Sequence, residues 1–302
     1  MLTKNTLSPA PARTAVALGC FDGLHRGHLA VIGAAVARRA EGLLPAVFTF
    51  DESPQKELTG KAVPQLMTNS WKEQLLSDYG VELLYNIDFS EVMKLTPPSF
   101  VQGVLRDMLH AGAVFCGENY HFGRGGHAGV KELELLCQEN GIELQVVPGV
   151  ASGGRLISST RIRELVQQGD MEQAAQLLGR PYCFDFPVAH GRRVGRLMGT
   201  PTLNQPFPQD FVLPKFGVYA SRVYFKDWCM VGVTNVGVRP TVGADGPLAE
   251  TWMPDYHGEE LYGEVVRTEL LEFLRPEMKF EGLEQLRAAI LENGEQVRRK
   301  YG

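Results

Sequence analysis

From Ala15 to Val147, short apolar runs alternate with longer segments whose apolar residues recur at helical spacing. Ala15 to Leu18, Ala46 to Phe50, Glu82 to Ile87, Ala113 to Gly117 and Ile142 to Val147 read as strands. His28 to Arg39, Trp71 to Tyr79, Ser99 to Leu109 and Val130 to Asn140 read as the helices between them. Strand and helix in regular alternation predict an α/β domain with a doubly wound parallel sheet, which binds ligands beyond the carboxyl ends of its strands. The loop after the first strand is therefore the first place to look for chemistry. Two more helices, Thr160 to Gln168 and Met171 to Leu178, are punctuated by Gly169-Asp170, where glycine suits a helix end and aspartate caps the next start.

After Arg180-Pro181 the pattern changes. Phe184 to His190, Val218 to Phe225, Met230 to Val233, Glu250 to Trp252 and Glu264 to Leu271 are strand-like and separated by turns with Gly and Pro. They predict a small antiparallel β-barrel or sandwich. Leu283, Leu286, Ile290 and Val297, at helical spacing, predict a C-terminal amphipathic helix packed on it. The change places a boundary near residues 179 to 185 and divides the chain into domains 1–180 and 181–302.

Composition narrows the class. The 302 residues are 44% hydrophobic and 22% charged, which excludes a disordered chain, a collagen-like fibre or a small disulfide scaffold. The 30 basic and 35 acidic residues leave a net charge of -5, so nothing general favours a nucleic-acid partner. Small phosphorylated ligands remain open, because a few local donors can hold them. Five cysteines, odd in number and without a C-x-x-C pair, predict reduced thiols. No apolar run reaches the roughly 18 residues of a membrane span, and a cytoplasmic protein without a membrane partner is expected.

The first predicted strand runs into Gly19-Cys20-Phe21-Asp22-Gly23-Leu24-His25-Arg26-Gly27-His28. Glycines allow close approach of backbone to ligand, and His25 and His28, three apart where a helix begins, can share a face near its positive end. Two imidazoles beside free N–H groups suit a polyphosphate, and charge stabilisation of this kind can drive phosphoryl or nucleotidyl transfer. The plainer alternative has one histidine capping the helix and the other packing. Zinc is a further alternative through Cys20, but no fourth ligand is evident, and a G-x-x-x-x-G-K-[ST] loop is absent. A second cluster, Ile157-Ser158-Ser159-Thr160-Arg161-Ile162-Arg163, opens a helix with three hydroxyls and two guanidiniums, groups that satisfy phosphate oxygens or, more simply, make an N-cap and a solvated basic turn.

In the second half, Gly191-Arg192-Arg193-Val194-Gly195-Arg196-Leu197-Met198-Gly199-Thr200-Pro201-Thr202-Leu203-Asn204 combines glycines with hard oxygen donors. If Thr202 and Asn204 lie in an extended segment they share a face and suit nucleotide-bound Mg²⁺; the alternative is a turn with a polar strand edge.

The ordered set G-x-F-D-G-x-H-x-G-H, Phe48-Thr49-Phe50-Asp51, Gly117-Glu118-Asn119-Tyr120-His121-Phe122-Gly123, I-S-S-T-R-I-R and Gly179-Arg180-Pro181-Tyr182 resembles the adenylyltransferase half of the prokaryotic bifunctional riboflavin kinase/FAD synthetase family. Gly191 to Asn204 resembles that family's kinase motif G-x-x-x-G-R-x-x-G-x-P-T-A-N, with further matches at Gly217-Val218-Tyr219-Ala220, Asn235 to Thr241, Leu261-Tyr262-Gly263 and Leu274-Arg275-Pro276-Glu277. The resemblance implies a Rossmann-like nucleotidyltransferase domain followed by a riboflavin kinase-like barrel with a C-terminal helix. It implies phosphorylation of riboflavin to FMN and adenylylation of FMN to FAD, with ATP as co-substrate, Mg²⁺ as cofactor and a monomer or weak homo-oligomer.

Residue by residue, the resemblance implies that His25 and His28 are catalytic at the adenylyltransferase centre. Gly19, Phe21, Asp22, Gly23, Asn119, Ser158, Ser159, Thr160, Arg161 and Arg163 would form its ATP-phosphate site. In the kinase half Gly191, Arg196 and Gly199 would hold ATP phosphates, Thr202 and Asn204 the metal, Arg275 the flavin, and Glu250 would be the catalytic base. The chain departs from the family at Phe50-Asp51-Glu52-Ser53-Pro54, where F-D-P-H-P is usual, and at Leu203, Trp252 and Phe186, where Ala, His and Gly are usual. The last two motivate an alternative: an FAD synthetase only, whose barrel binds flavin as a non-catalytic regulatory module.

Overall fold

The computed structural model describes residues 1–191, 200–238 and 246–302, and the chain divides into two compact units, Met1–Ser159 and Thr160–Gly302. The strands of the first unit are β1 (Leu2–Lys4), β2 (Thr14–Leu18), β3 (Leu44–Phe50), β4 (Leu83–Ile87), β5 (Ala111–Gly117) and β6 (Glu143–Val147), followed by a small hairpin of β7 (Ala151–Ser152) and β8 (Arg155–Leu156). Its helices are α1 (Arg26–Ala37), α2 (Pro54–Thr59), α3 (Asn69–Asp78), α4 (Phe100–Met108, wound as a π-helix) and α5 (Val130–Glu139). All five strands read from the apolar runs are present within a residue or two of their expected ends. The added strand β1 has Leu2 half exposed at the sheet edge and is too short to show alternation.

The sheet is parallel throughout, in the order β1-β4-β3-β2-β5-β6. Its four inner strands, β2 to β5, are buried on both faces, as crossover helices require. Ala15, Ala17, Val47 and Phe115 face α1 and α3, where Ile32, Ala35 and Leu76 complete one core. Val16, Leu18, Phe48, Tyr85 and Val114 face the opposite layer, with Phe100, Leu105, Leu133 and Cys137. Because β2 has β3 on one side and β5 on the other, the chain reverses its direction of winding between β2 and β5, and sheets of this kind bind ligands at the carboxyl ends of the strands at that point.

The second unit begins with α6 (Ser159–Gln168, whose first residue closes the first unit) and α7 (Met171–Leu178). Asp170 caps α7 by accepting from Gln173 N, and Gly179 ends it in the left-handed region at φ 80°. There follow β9 (Tyr182–Pro187), β10 (Thr202–Pro206), β11 (Gly217–Phe225), β12 (Trp228–Val238), β13 (Pro247–Trp252), β14 (Val265–Arg275) and α8 (Leu283–Tyr301). Among the described residues the strands form an antiparallel sheet ordered β10-β13-β12-β11-β14-β9. Its two edges meet where Ala189 N donates to Asn204 O at 2.7 Å, an antiparallel bridge that curls the sheet into a barrel and decides against a sandwich. Within α8, Val297 is buried as expected, but Leu283 is 57% exposed, so the first turn of the helix is uncovered.

The barrel interior is tied by polar groups as well as by Phe184, Phe186, Phe207 and Phe211. Gln205 is fully buried; its Nε2 donates to Phe186 O (2.9 Å) and Val266 O (2.7 Å), and its Oε1 accepts from Thr268 (2.8 Å). One amide thus joins β10 to β9 and β14 across the closure. Gln205→Leu is expected to destabilise the second unit by about 2–4 kcal/mol, because it leaves buried polar groups without partners. Denaturant unfolding followed in this unit measures it; an unchanged midpoint would rule out the amide as a closure element.

Candidate active sites

The first site grows out of β2. Gly19 N donates to Phe48 O at 3.3 Å, keeping the loop on the sheet for one more residue, and a side chain at Gly19 would meet the Phe21 ring 2.8 Å away. The chain then takes left-handed backbone at Phe21 (φ 47°), Gly23 (φ 82°) and Leu24 (φ 40°). For non-glycine residues that conformation costs about 1–2 kcal/mol each, and the surroundings hold it. The Phe21 and Leu24 side chains are anchored in the core, Thr49 Oγ1 donates to Cys20 O (2.9 Å), Leu66 N donates to Asp22 Oδ1 (3.0 Å), and Ser159 Oγ donates to Asp22 O (2.8 Å).

This fixed loop delivers His25 to the N-cap of α1. His25 is buried, and its Nδ1 accepts from His28 N at 3.2 Å. The two imidazoles stack, centroids 3.6 Å apart and 19° from parallel, with Phe21 edge-on to His28 at 5.3 Å. Using Nδ1 as an acceptor places the proton of neutral His25 on Nε2, which leaves that nitrogen as a donor. The capping alternative is thus part of the answer, and it orients the ring rather than consuming it.

Of the other residues predicted for this site, Gly23 forms the loop and Phe21 is buried, so its side chain serves as an anchor. Asp22 spends Oδ1 on Leu66 N. Asn119 is exposed in the loop that follows β5, the strand beside β2 across the switch point. Ser158 directly precedes α6, Ser159, Thr160 and Arg161 lie in its first turn, and Arg163 in its second. Ser53, in the segment that departs from the family, accepts from Gln55 N and caps α2. Among the described residues no group of three or more His, Cys, Asp or Glu side chains is placed to hold a metal, so the zinc reading finds no ligand set there.

The second site is a row across the barrel. Asn204 on β10 pairs with Glu250 on β13, Glu250 with Asn235 on β12, Asn235 with Val218 on β11, and Val218 with Arg275 on β14. Paired residues of an antiparallel sheet point to the same face, so Asn204, Glu250, Asn235 and Arg275 share the face on which α8 packs. Thr202 lies two residues from Asn204 on that face, as the extended reading required. Asn204 is buried, its Nδ2 donates to Thr202 O at 3.3 Å, and it occupies space that a side chain at Gly191 would fill, with Nδ2 2.5 Å from that Cβ position. Arg275 Nε donates to Asn293 Oδ1 on α8 at 3.1 Å, and its guanidinium lies 5.8 Å from the Phe280 ring centre. Arg196 and Gly199, together with Arg239 to Thr241 of the motif, lie outside the described residues.

Two residues of this site had no role in the sequence reading. Asn235 lies beside Glu250 and its Nδ2 donates to Glu277 Oε1 at 3.3 Å. Glu277 in turn stands where a side chain at Gly237 would lie. Only the register reveals this group, since 42 residues separate Asn235 from Glu277. The two departures Trp252 and Phe186 are both packing residues. Trp252 fits against α8 where Gly294 has no side chain, 2.6 Å from its Cβ position, and Phe186 stacks on Phe184 inside the barrel.

Residues 7–161 match the FAD synthetase family and residues 178–301 the riboflavin kinase family. The bifunctional riboflavin kinase/FMN adenylyltransferase of Listeria monocytogenes is 35% identical over 95% of this chain and 91% of that one. This chain belongs to the bifunctional riboflavin kinase/FMN adenylyltransferase family. Family members from Bacillus subtilis and Escherichia coli are each 31% identical, over 96% and 99% of this chain and 93% and 96% of their own. A solved Streptococcus pneumoniae structure described as a macrolide-efflux protein is 29% identical and superposes with a TM-score of 0.88 over 100% of both chains. Among the described residues of the present family member, no helix is long and apolar enough to cross a membrane.

Proposed function

We propose that the chain phosphorylates riboflavin to FMN in its barrel and adenylylates FMN to FAD, with release of pyrophosphate, at the loop after β2. The observation that carries this reading is the presence of two separately built constellations, the stacked histidine pair at the start of α1 and the Asn204–Glu250–Asn235 row, in a chain of this family. Each reaction then has its own ATP site, and the division of labour follows the domains 1–180 and 181–302. ATP and flavins are small phosphorylated or aromatic ligands of the cytoplasm, where we place the protein.

In the kinase step Glu250 accepts the proton of the riboflavin 5′-hydroxyl while that oxygen bonds to the γ-phosphorus of ATP. The bond from the γ-phosphorus to the β–γ bridging oxygen breaks, and ADP leaves. Thr202 and Asn204 fit a magnesium ion: they offer a hydroxyl and an amide oxygen from one face, and glycine at 191 leaves the amide its space. When bound there, Mg²⁺ neutralises phosphate charge. We assign the flavin to the side of Arg275 and of the first turns of α8, a reading supported by the exposure of Leu283 and the bond from Arg275 to Asn293 of that helix.

In the adenylyl step an FMN phosphate oxygen attacks the α-phosphorus, the bond to the α–β bridging oxygen breaks, and pyrophosphate leaves. Nε2 of His25 and the imidazole of His28 hold phosphate oxygens as negative charge shifts onto the leaving group. Gly19, Gly23, Asn119, Ser158 and Ser159 complete the phosphate surroundings, and Thr160, Arg161 and Arg163 keep the phosphate role read from their sequence. Purified protein supplied with riboflavin, ATP and Mg²⁺ is expected to yield FMN and then FAD, resolved by chromatography. No FMN from riboflavin would overturn the kinase reading, and no FAD from supplied FMN the adenylyltransferase reading.

A further inference from the structure

The end of β3 is held by the beginning of α3. Asn69 Nδ2 donates to Asp51 O at 3.2 Å, and Lys72 Nζ donates to Phe50 O at 3.0 Å. Lys72 is only 5% exposed, and among the described residues its ammonium makes this one hydrogen bond although it carries three N–H groups. A neutral amide would tie the same carbonyl without burying a charge, so the charge itself calls for a reason. Burial holds the Lys72 ammonium below the ordinary lysine range, and acidic neighbours pull it back: Asp22 of the loop after β2 first, then the Cys20 thiol, Asp51 at the end of β3 and Glu73 on α3.

Asp22 and Asp51 lie at the carboxyl edge of a sheet whose proposed ligands are a triphosphate and a flavin phosphate. Left uncompensated, these carboxylates would repel both. The Asp22 carboxylate accepts from Leu66 N and braces the loop. The same loop holds left-handed backbone at Phe21 and Leu24 and is tied to β3 through Thr49.

We infer that Lys72 is a positioning residue for adenylyl transfer: its buried charge balances the carboxylates of Asp22 in the phosphate loop and Asp51 at the end of β3, and its bond to Phe50 fixes the strand end against which that loop is braced. The inference rests on the adenylyltransferase reading of the first site. Lys72→Met keeps the length and apolar stem of the side chain and removes the charge. It is expected to raise the KM for ATP in FAD formation by about tenfold, the scale of one lost charge interaction, with a smaller effect on kcat and unchanged FMN formation. Lys72→Arg restores the low KM. In wild-type protein the KM for ATP rises as pH climbs through the depressed lysine range, whereas in Lys72→Arg it stays low and in Lys72→Met it stays high. In an Asp22→Asn background the Lys72→Met factor shrinks, because the carboxylate that the ammonium balances is gone.

A Lys72→Met protein with wild-type KM for ATP, or an undiminished factor with Asp22→Asn, overturns the inference. If Lys72→Met unfolds, the wild-type and Lys72→Arg pH profiles decide, and identical profiles overturn it. Wild-type protein that makes no FAD from supplied FMN would instead overturn the underlying reading of the site.

Discussion

Replacing His28 with alanine is expected to lower FAD formation from supplied FMN by about 10²- to 10³-fold, the cost of losing one preorganised donor to developing charge. FMN formation from riboflavin should stay within about twofold of wild type, because the kinase reaction is assigned to other residues of the other domain. The substitution is well posed, because the cap of α1 runs from the His28 backbone N–H to His25 Nδ1 and survives loss of the ring. What disappears is the imidazole stacked 3.6 Å from His25. The loss should fall mainly on kcat, since the charge it meets builds up as pyrophosphate leaves. Initial rates of both reactions on one preparation test this. An unchanged FAD rate would remove His28 from catalysis, and loss of both activities from folded protein would refute two independent sites.

The reverse outcome is expected for Glu250→Gln, which keeps the shape of the side chain and its place between Asn204 and Asn235 but removes the base. FMN formation should fall by about 10²- to 10⁴-fold, the usual worth of a general base, while FAD formation from supplied FMN continues. A KM for riboflavin near wild type would accompany the drop in kcat, because the flavin-side groups Arg275 and α8 are untouched. Retention of the kinase rate would favour the alternative in which the barrel only binds flavin. Trp252 and Phe186, the departures that suggested it, fill space against Gly294 and inside the barrel.

Most of the element order was legible because it is written in local pattern. Buried strands such as Ala15–Leu18 are continuous apolar runs, and Asp170 and Gly179 mark the ends of α7 by chemistry that acts within a few residues. β1 was not legible, since three residues at a sheet edge have neither run nor alternation. The extent of β12 was underestimated because polar Thr234 and Asn235 interrupt its apolar run; the structure shows Thr234 sharing hydroxyl bonds with Ser221 and Thr251 inside the barrel. Packing of Leu283 was expected from its spacing, but periodicity reports which face is apolar and not whether anything covers it.

The sites divide along the same line. The amino-acid order by itself determined which residue types stand together in the chain: the glycine and histidine loop after the first strand, the hydroxyl and arginine cluster at α6, and the Thr202/Asn204 pair. These act within a turn or a strand, so spacing is enough to read them. Only the tertiary structure decided what joins across the sequence. It stacked His25 on His28 while spending Nδ1 on the cap, set Asn235 beside Glu250 and bonded it to Glu277, closed the barrel at Ala189 and Asn204, and buried Lys72 against the end of β3. Register, closure and burial arise from contacts between distant segments, which no local pattern of residues specifies.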